Sequence, residues 1–147
     1  MRGTALRLLG RREYTVAELG ERLLTRGHDA AEVDAELARL AGEGLVDDRR
    51  AALTHIRTGS QIKGRGKRRI RRELEARGVA PALIEELLSS RGDADELEAV
   101  ERLLARRRLP SRLPLAERRR VFQQLLRRGF AADVIARALK GVGRDPD

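Results

Sequence analysis

In the segment RRIRRELEARGVAPALIEELL, residues 68–88, an arginine–glycine pair separates two helical patterns. Before this pair, Ile70 and Leu74 are four residues apart, and residues with that spacing share one face of a helix. Gly78 suits the left-handed turn that ends many helices, because glycine adopts that conformation at little cost. Apolar residues then follow six and ten positions after the glycine. The segment therefore predicts two helices that join at Gly78.

The same pattern surrounds Gly27 and Gly129, each of which lies 51 residues from Gly78. An arginine precedes each glycine, and apolar residues occupy the same four offsets around it. The twelve residues at these offsets are Leu19, Leu23, Val33, Leu37, Ile70, Leu74, Ile84, Leu88, Val121, Leu125, Ile135 and Leu139. Agreement at so many positions indicates an internal repeat.

A further helix is expected before each pair, so that each repeat contains three helices. Its apolar anchors recur every 47 residues, at Ala5 and Leu9, Ala52 and Ile56, and Ala99 and Leu103. The connection to the second helix should then lengthen by four residues in each successive repeat. No strand pattern competes with these helices. We therefore predict an all-α fold of three tandem three-helix repeats in an elongated array, since each repeat touches only its neighbours.

Residue types that begin helices agree with this prediction. Thr15 and Asp29 are each followed three residues later by a glutamate, which is the spacing of a capping box. Pro81 and Pro114 suit the first turn of a helix, where no backbone donor is needed.

The formal net charge of +9 is unevenly distributed. The segments predicted for the three repeats, residues 1–48, 49–92 and 93–147, carry net charges of −3, +8 and +4. Excess positive charge favours polyanions or an acidic protein surface as partners. The positive surface is therefore expected to begin with the second repeat.

The densest basic cluster precedes and enters the second helix of the middle repeat. If Ile70 and Leu74 face inward, Arg68 and Arg72 point nearly opposite, and Arg65 joins them if the helix extends that far back. Such a stripe is suited to contact phosphates or acidic side chains, and a solvated helix face is the alternative. Two later arginine runs are further candidates. The candidate filament-binding or DNA-binding residues are Lys63, Arg65, Lys67, Arg68, Arg69, Arg71, Arg72, Arg106, Arg107, Arg108, Arg118 and Arg119.

Little in the sequence indicates catalysis. The chain has no cysteine, and His28 and His55 each lack a second histidine nearby. The segment GSQIKGRGK, residues 59–67, resembles a phosphate loop only superficially, because no strand precedes it and arginine follows it. No apolar run approaches the roughly 20 residues of a membrane span. We expect a soluble, cytoplasmic, monomeric protein with no enzymatic activity, no cofactor, no metal and no membrane partner.

Four stretches that contain residues typical of helix starts and helix ends occur in a specific order along residues 4–140. They are ALRLLGRREYTVAEL at 5–19, GLVDDRRAALTHI at 44–56, KGRGKRRIRRELEARGV at 63–79 and LLRRGFAADVI at 125–135. Through them the chain resembles the RecX family of recombinase regulators. In the middle repeat the match rests on Gly44, Leu45, Asp48, Arg49, Lys63, Gly64, Arg69, Ile70, Glu73, Leu74 and Gly78.

The resemblance implies binding to a RecA-type recombinase filament on single-stranded DNA and inhibition of its ATP turnover and strand exchange. A role in DNA recombination and repair follows from that. Family members usually carry aromatic residues on the helix after the Asp48–Arg49 pair, where this chain reads AALTHI. If those aromatics belong to the core, Leu53 and Ile56 replace them; if they touch the partner, that contact is changed here.

Two alternatives remain open from the residues alone. The chain could be a stand-alone basic helical module that binds nucleic acid directly, or a structural adaptor that binds a partner through apolar seams. Only three residues are aromatic, whereas proteins that grip single strands usually stack bases on aromatic rings. Charge contact with a filament or a DNA backbone is therefore the expected mode of binding.

Overall fold

A computed structural model describes residues 1–142, and within that range the protein is helical and contains no strand. It has nine α-helices and one π-helical turn, Thr58–Ile62, which directly follows the fourth helix. The α-helices are α1 (Arg2–Leu9), α2 (Val16–Thr25), α3 (Ala30–Gly42), α4 (Asp48–Arg57), α5 (Lys67–Ala76), α6 (Pro81–Ser89), α7 (Asp93–Arg106), α8 (Leu115–Arg127) and α9 (Ala132–Lys140). The predicted all-α fold is confirmed.

The three repeated glycines end helices as predicted. Gly27, Gly78 and Gly129 have φ angles of +91°, +82° and +98° and follow α2, α5 and α8. Each time, the glycine N–H and the next N–H donate back to two carbonyls in the last turn; after α5, Val79 donates to Leu74 at 3.1 Å. This pairing is the Schellman motif, which satisfies carbonyls that a helix end leaves without partners.

The apolar pattern around the glycines is also confirmed, because all twelve residues at the four repeated offsets are buried. Helix starts agree in part. Thr15 and Glu18 form the reciprocal capping box, whereas Asp29 caps α3 through its own side chain, which accepts from two backbone amides. Pro81 is the first residue of α6, and Pro114 is the N-cap of α8.

The first helices of the repeats agree only in part with the predicted register. Ala5, Ala52 and Ile56 are buried as predicted, whereas Leu9 is only partly buried. In α7 the buried pair is Val100 and Leu104, one position after the predicted anchors Ala99 and Leu103, which are only partly buried. The connections to the second helices do not lengthen steadily, since six, nine and eight residues separate α2, α5 and α8 from the α-helix that precedes each of them. The π-helical turn occupies five of the nine residues between α4 and α5, so an extra helical turn takes the place of a longer loop there.

The chain divides into two compact units, and the boundaries between them fall within α4, α5 and α6. Unit 1 contains residues 1–55 and 73–87, and unit 2 contains residues 56–72 and 88–147. In unit 1, α1, α2 and α3 enclose a core whose fully buried members include Leu19, Leu23 and Leu40. In unit 2, α7, α8 and α9 enclose a second core around Phe130.

In unit 1, the end of α5 meets the start of α2. The Thr15 hydroxyl donates to the Arg77 carbonyl at 2.5 Å, and the Arg77 guanidinium donates to Glu18 Oε1 at 3.0 Å. A Cβ on Gly78 would lie 2.4 Å from the Cβ of Ala17. The backbone can therefore approach this closely only because residue 78 has no side chain.

Unit 2 repeats this contact 51 residues later, with the end of α8 against the start of α5. The Gly66 amide donates to the Arg128 carbonyl at 2.8 Å, and the Arg68 amide donates to the Gly129 carbonyl at 3.1 Å. A Cβ on Gly129 would lie 2.4 Å from the Cβ of Arg69. We call these two contacts joint 1, in unit 1, and joint 2, in unit 2. Gly27 has no such contact, because a Cβ there meets no described atom within 4 Å.

Replacing each of the three glycines with alanine should therefore lower the free energy of unfolding by different amounts. Gly27→Ala should lower the free energy of unfolding by about 1 kcal/mol, the strain of a left-handed alanine. Gly78→Ala and Gly129→Ala add a steric clash and should each lower it by about 2–4 kcal/mol. Urea unfolding of the three variants measures the difference, and equal losses would show that the joints do not constrain the fold.

Candidate functional site

The two units differ sharply in charge. Unit 2 contains 22 basic and nine acidic residues, a net charge of +13, whereas unit 1 contains ten basic and 14 acidic residues, a net charge of −4. Every basic candidate proposed from the sequence lies in unit 2. An anionic partner is therefore attracted to unit 2 rather than to the chain as a whole.

Fewer basic residues are exposed on α5 than the sequence predicts. Ile70 and Leu74 are fully buried, and Arg68 and Arg72, four residues apart, are exposed. Arg65 lies before the helix, which begins at Lys67, so it is not part of the helical stripe. We use "α5 stripe" below for Arg68 and Arg72.

The remaining basic residues of the cluster are more enclosed. Arg65, Lys67, Arg69 and Arg71 are half-buried, and three of these, Arg65, Arg69 and Arg71, interact with other groups of the protein. The Arg69 Cβ packs against Gly129 in joint 2. These side chains therefore support the start of α5 as well as adding to its charge.

A carboxylate from α7 holds the first turn of α5. Glu96 Oε1 accepts a hydrogen bond from the Lys67 amide at 3.2 Å. Burial raises the pKa of Glu96 above its usual value, although this hydrogen bond and the charges of Lys67 and Arg91 act in the opposite direction. Ionised Glu96 thus stabilises the helix start and carries a desolvation cost of its own.

The two later arginine runs have different surroundings. Arg106, Arg107 and Arg108 lie at the end of α7 and are exposed, and Arg107 donates to the Gln124 side chain. Arg118 is half-buried and donates to the carbonyls of Leu139 and Val142 at 2.7 and 2.8 Å, so it holds the end of α9. Its neighbour Arg119 is exposed on α8.

The structure also brings together two arginines that the sequence did not single out. Arg102 on α7 and Arg128 after α8 line one groove with Lys63, Arg106 and Arg107. The groove has a volume of about 440 Å³, and the π-helical turn forms its other wall. Arg102 is four residues before Arg106, which places both on one helix face; Arg128 and Lys63 are 65 residues apart, so no local pattern predicts that they meet.

The motif residues of the middle repeat include several with structural contacts in unit 1. Asp48 Oδ1 accepts from the Val16 amide at 2.8 Å and thereby caps α2, and Arg49 forms an ion pair with Glu86. On the same helix, Ile56 is buried and Leu53 is 42% exposed. Ile56 therefore belongs to the core of this protein, whereas Leu53 does not.

Residues 1–142 contain no group of three or more His, Cys, Asp or Glu side chains placed to hold a metal ion. His55 pairs with Glu73, at 3.3 Å between Nε2 and Oε1. None of the helices described is both long enough and apolar enough to cross a membrane.

Three domain profiles of one family match the chain in tandem. They are described as the first, second and third three-helix domains of RecX, and they match residues 2–40, 47–88 and 94–139. The chain is 41% identical to the regulatory protein RecX of Halorhodospira halophila, with 100% of this chain and 91% of the relative covered. It is 39% identical to that of Pseudomonas putida strain GB-1, with 100% and 92% covered.

Solved structures agree in fold. The crystal structure of RecX from Lactobacillus salivarius superposes with a TM-score of 0.84 at 20% identity, with 95% of this chain and 92% of that one covered. Another RecX crystal structure gives a TM-score of 0.80 at 22% identity, with 94% and 69% covered.

The raised pKa of Glu96 predicts a pH-dependent stability difference. Because the folded protein holds this proton more tightly, the stability gained by protonation is present below the ordinary glutamate pKa and is lost as pH rises through the folded pKa. Glu96→Gln keeps an acceptor for the Lys67 amide but does not titrate. Between about pH 3.5 and 7, the free energy of unfolding of the unsubstituted protein should therefore fall relative to that of the variant. Urea unfolding across this range measures the difference, and a constant or rising difference would contradict the assignment.

Proposed function

Because this chain belongs to the RecX family of regulatory proteins, we propose that it binds a RecA-type recombinase filament on DNA and inhibits its ATP turnover and strand exchange. In this proposal it acts as a cytoplasmic monomer and catalyses no reaction of its own. The domain boundaries at 48/49 and 92/93 are part of the same proposal.

The α5 stripe is the observation that carries this proposal. Arg68 and Arg72 project from a helix whose start is fixed by two backbone hydrogen bonds in joint 2 and by Glu96. Because this backbone is already ordered, binding a phosphate or a carboxylate requires only the two side chains to become ordered. Unit 2 supplies the long-range attraction through its net charge of +13.

The second candidate function is that of a stand-alone DNA-binding module. The charge of unit 2 favours it, since such a surface binds any nucleic acid at low salt. The two functions differ in their need for the recombinase. Near physiological salt, where the Debye length is about 8 Å, weak long-range attraction is screened and the comparison is informative.

We expect substoichiometric amounts of this protein to slow ATP turnover by a RecA-type recombinase on single-stranded DNA at that salt concentration. Replacing both stripe residues, Arg68→Ala with Arg72→Ala, should raise the concentration needed for half-inhibition by about tenfold or more, since two charge-assisted contacts are lost. The fold should be retained, because exposed charges contribute little to stability.

Arg22→Ala with Arg26→Ala is the matched control, since these exposed arginines, on α2 and at its C-cap, have the same spacing but lie in unit 1. The control should inhibit like the unsubstituted protein. Unchanged inhibition by the stripe variant would remove the stripe from the contact. Tight binding to naked DNA with no effect on ATP turnover would instead support the DNA-binding module.

A further inference from the structure

The groove in unit 2 is a second cationic surface, different in its residues from the α5 stripe. One wall is the π-helical turn and the loop after it, Ser60–Gly64, and the other is the face of α7 that carries Arg102 and Arg106. Five of the eleven lining residues are basic, and no lining residue among those described is acidic. The groove therefore concentrates positive potential in a concave surface, which attracts anions more strongly than a flat surface does.

The walls are held in place from within unit 2. The Arg128 guanidinium donates to the carbonyls of Lys63 and Gly64 at 3.3 and 3.4 Å, and the Arg65 amide donates to the Gly59 carbonyl at 2.8 Å. Gly59 sits against Ile70, where a Cβ would lie 3.2 Å from that side chain. The π-helical turn is thus packed against α5. Because this segment is already ordered, ligand binding there costs little conformational entropy.

The cations in the groove fall into two kinds. Arg107 and Arg128 are engaged by Gln124 and by backbone carbonyls, so they shape the groove. Lys63, Arg102 and Arg106 are exposed, and their side chains make no ion pair or hydrogen bond with any part of residues 1–142. Three neighbouring positive charges repel one another when no anion is bound. A bound anion would reduce this repulsion, and the three side chains are available to contact it.

An apolar surface accompanies this charge. Ile62 is 77% exposed at the groove, the largest exposed fraction among the bulky apolar residues described, and Leu103 also lines it. A duplex presents phosphates but keeps its base faces stacked, so contact between a base face and an isoleucine would require the duplex to unstack at an energetic cost. An unpaired strand offers phosphates to the three cations and a base face to Ile62.

We infer that the groove between the π-helical turn and α7 binds the phosphodiester backbone of a single nucleic-acid strand. Lys63, Arg102 and Arg106 contact phosphates, and Ile62 contacts an unpaired base. Because the main contacts are to phosphates, recognition depends little on base sequence and strongly on salt. The inference deepens the proposed function, since it supplies a contact to the DNA on which the recombinase filament is assembled.

The test uses the full chain, without recombinase, and a fluorescein-labelled single-stranded 15-mer of thymidylate. Fluorescence anisotropy over a salt series gives both the affinity and the slope of log K against log salt. Arg102→Ala with Arg106→Ala should weaken binding about tenfold and reduce the salt slope by about 1.4, because each phosphate contact to a single strand contributes about 0.7. Far-ultraviolet circular dichroism checks that the helices are retained.

The charge-matched control is Arg137→Ala with Lys140→Ala, two exposed cations on α9 in the same unit. It should change affinity less than about twofold, since it alters only the long-range field. Equal losses in the two variants would overturn the inference, because they would show that net charge alone drives binding.

Two further arms separate the possible anions. Ile62→Ser should reduce the preference for the 15-mer over its duplex, and an unchanged preference would overturn the role of a single strand.

Inorganic tripolyphosphate should displace the 15-mer only weakly. Tight tripolyphosphate binding that needs Arg102 and Arg106, with unaffected 15-mer binding, would identify a free polyphosphate site instead. If the groove variant binds the 15-mer normally but ATP turnover is still inhibited, this inference fails while the proposed function stands.

Discussion

Helix ends leave carbonyl groups that must find donors, and in this protein the way those carbonyls are satisfied governs how the helices meet. After α5 and α8, a left-handed glycine turns the chain and satisfies part of the last turn internally. The carbonyl of the residue before that glycine then accepts from the start of another helix, through the Thr15 hydroxyl in joint 1 and the Gly66 amide in joint 2. Any side chain at Gly78 or Gly129 would prevent the approach, so a missing Cβ at two positions permits both contacts.

Joint 2 also explains how α5 tolerates its charge. The first helical residues, Lys67, Arg68 and Arg69, are all basic, which is unfavourable beside the positive end of a helix dipole. In joint 2 the carbonyl end of α8, which is negative, faces this start, and Glu96 accepts from the first amide. The arrangement offsets the repulsion within unit 2 and leaves Arg68 and Arg72 exposed. Stability and the candidate interface therefore depend on the same backbone contact.

Local signals in the sequence predict the helices, their glycine ends and the twelve buried positions, because each depends on residues within one turn or two. Contacts between distant segments were not predictable. The anchors of α7 are shifted by one residue, the π-helical turn replaces a lengthened loop, and Arg118 faces carbonyls of α9 rather than solvent. The groove requires Arg128 to reach the Lys63 carbonyl, 65 residues away, which no periodicity encodes.

Native-state hydrogen exchange, measured by NMR, can examine joint 2 at single amides. Arg68 and Ala116 are each the second residue of a helix, a position without an intrahelical acceptor. Arg68 donates to the Gly129 carbonyl, whereas the Ala116 amide has no hydrogen-bond partner in residues 1–142. The joint predicts that the Gly66 and Arg68 amides exchange nearly as slowly as the buried Ile70 amide while Ala116 exchanges close to its unprotected rate. Exchange at Arg68 as fast as at Ala116 would contradict a joint that holds α5 against α8.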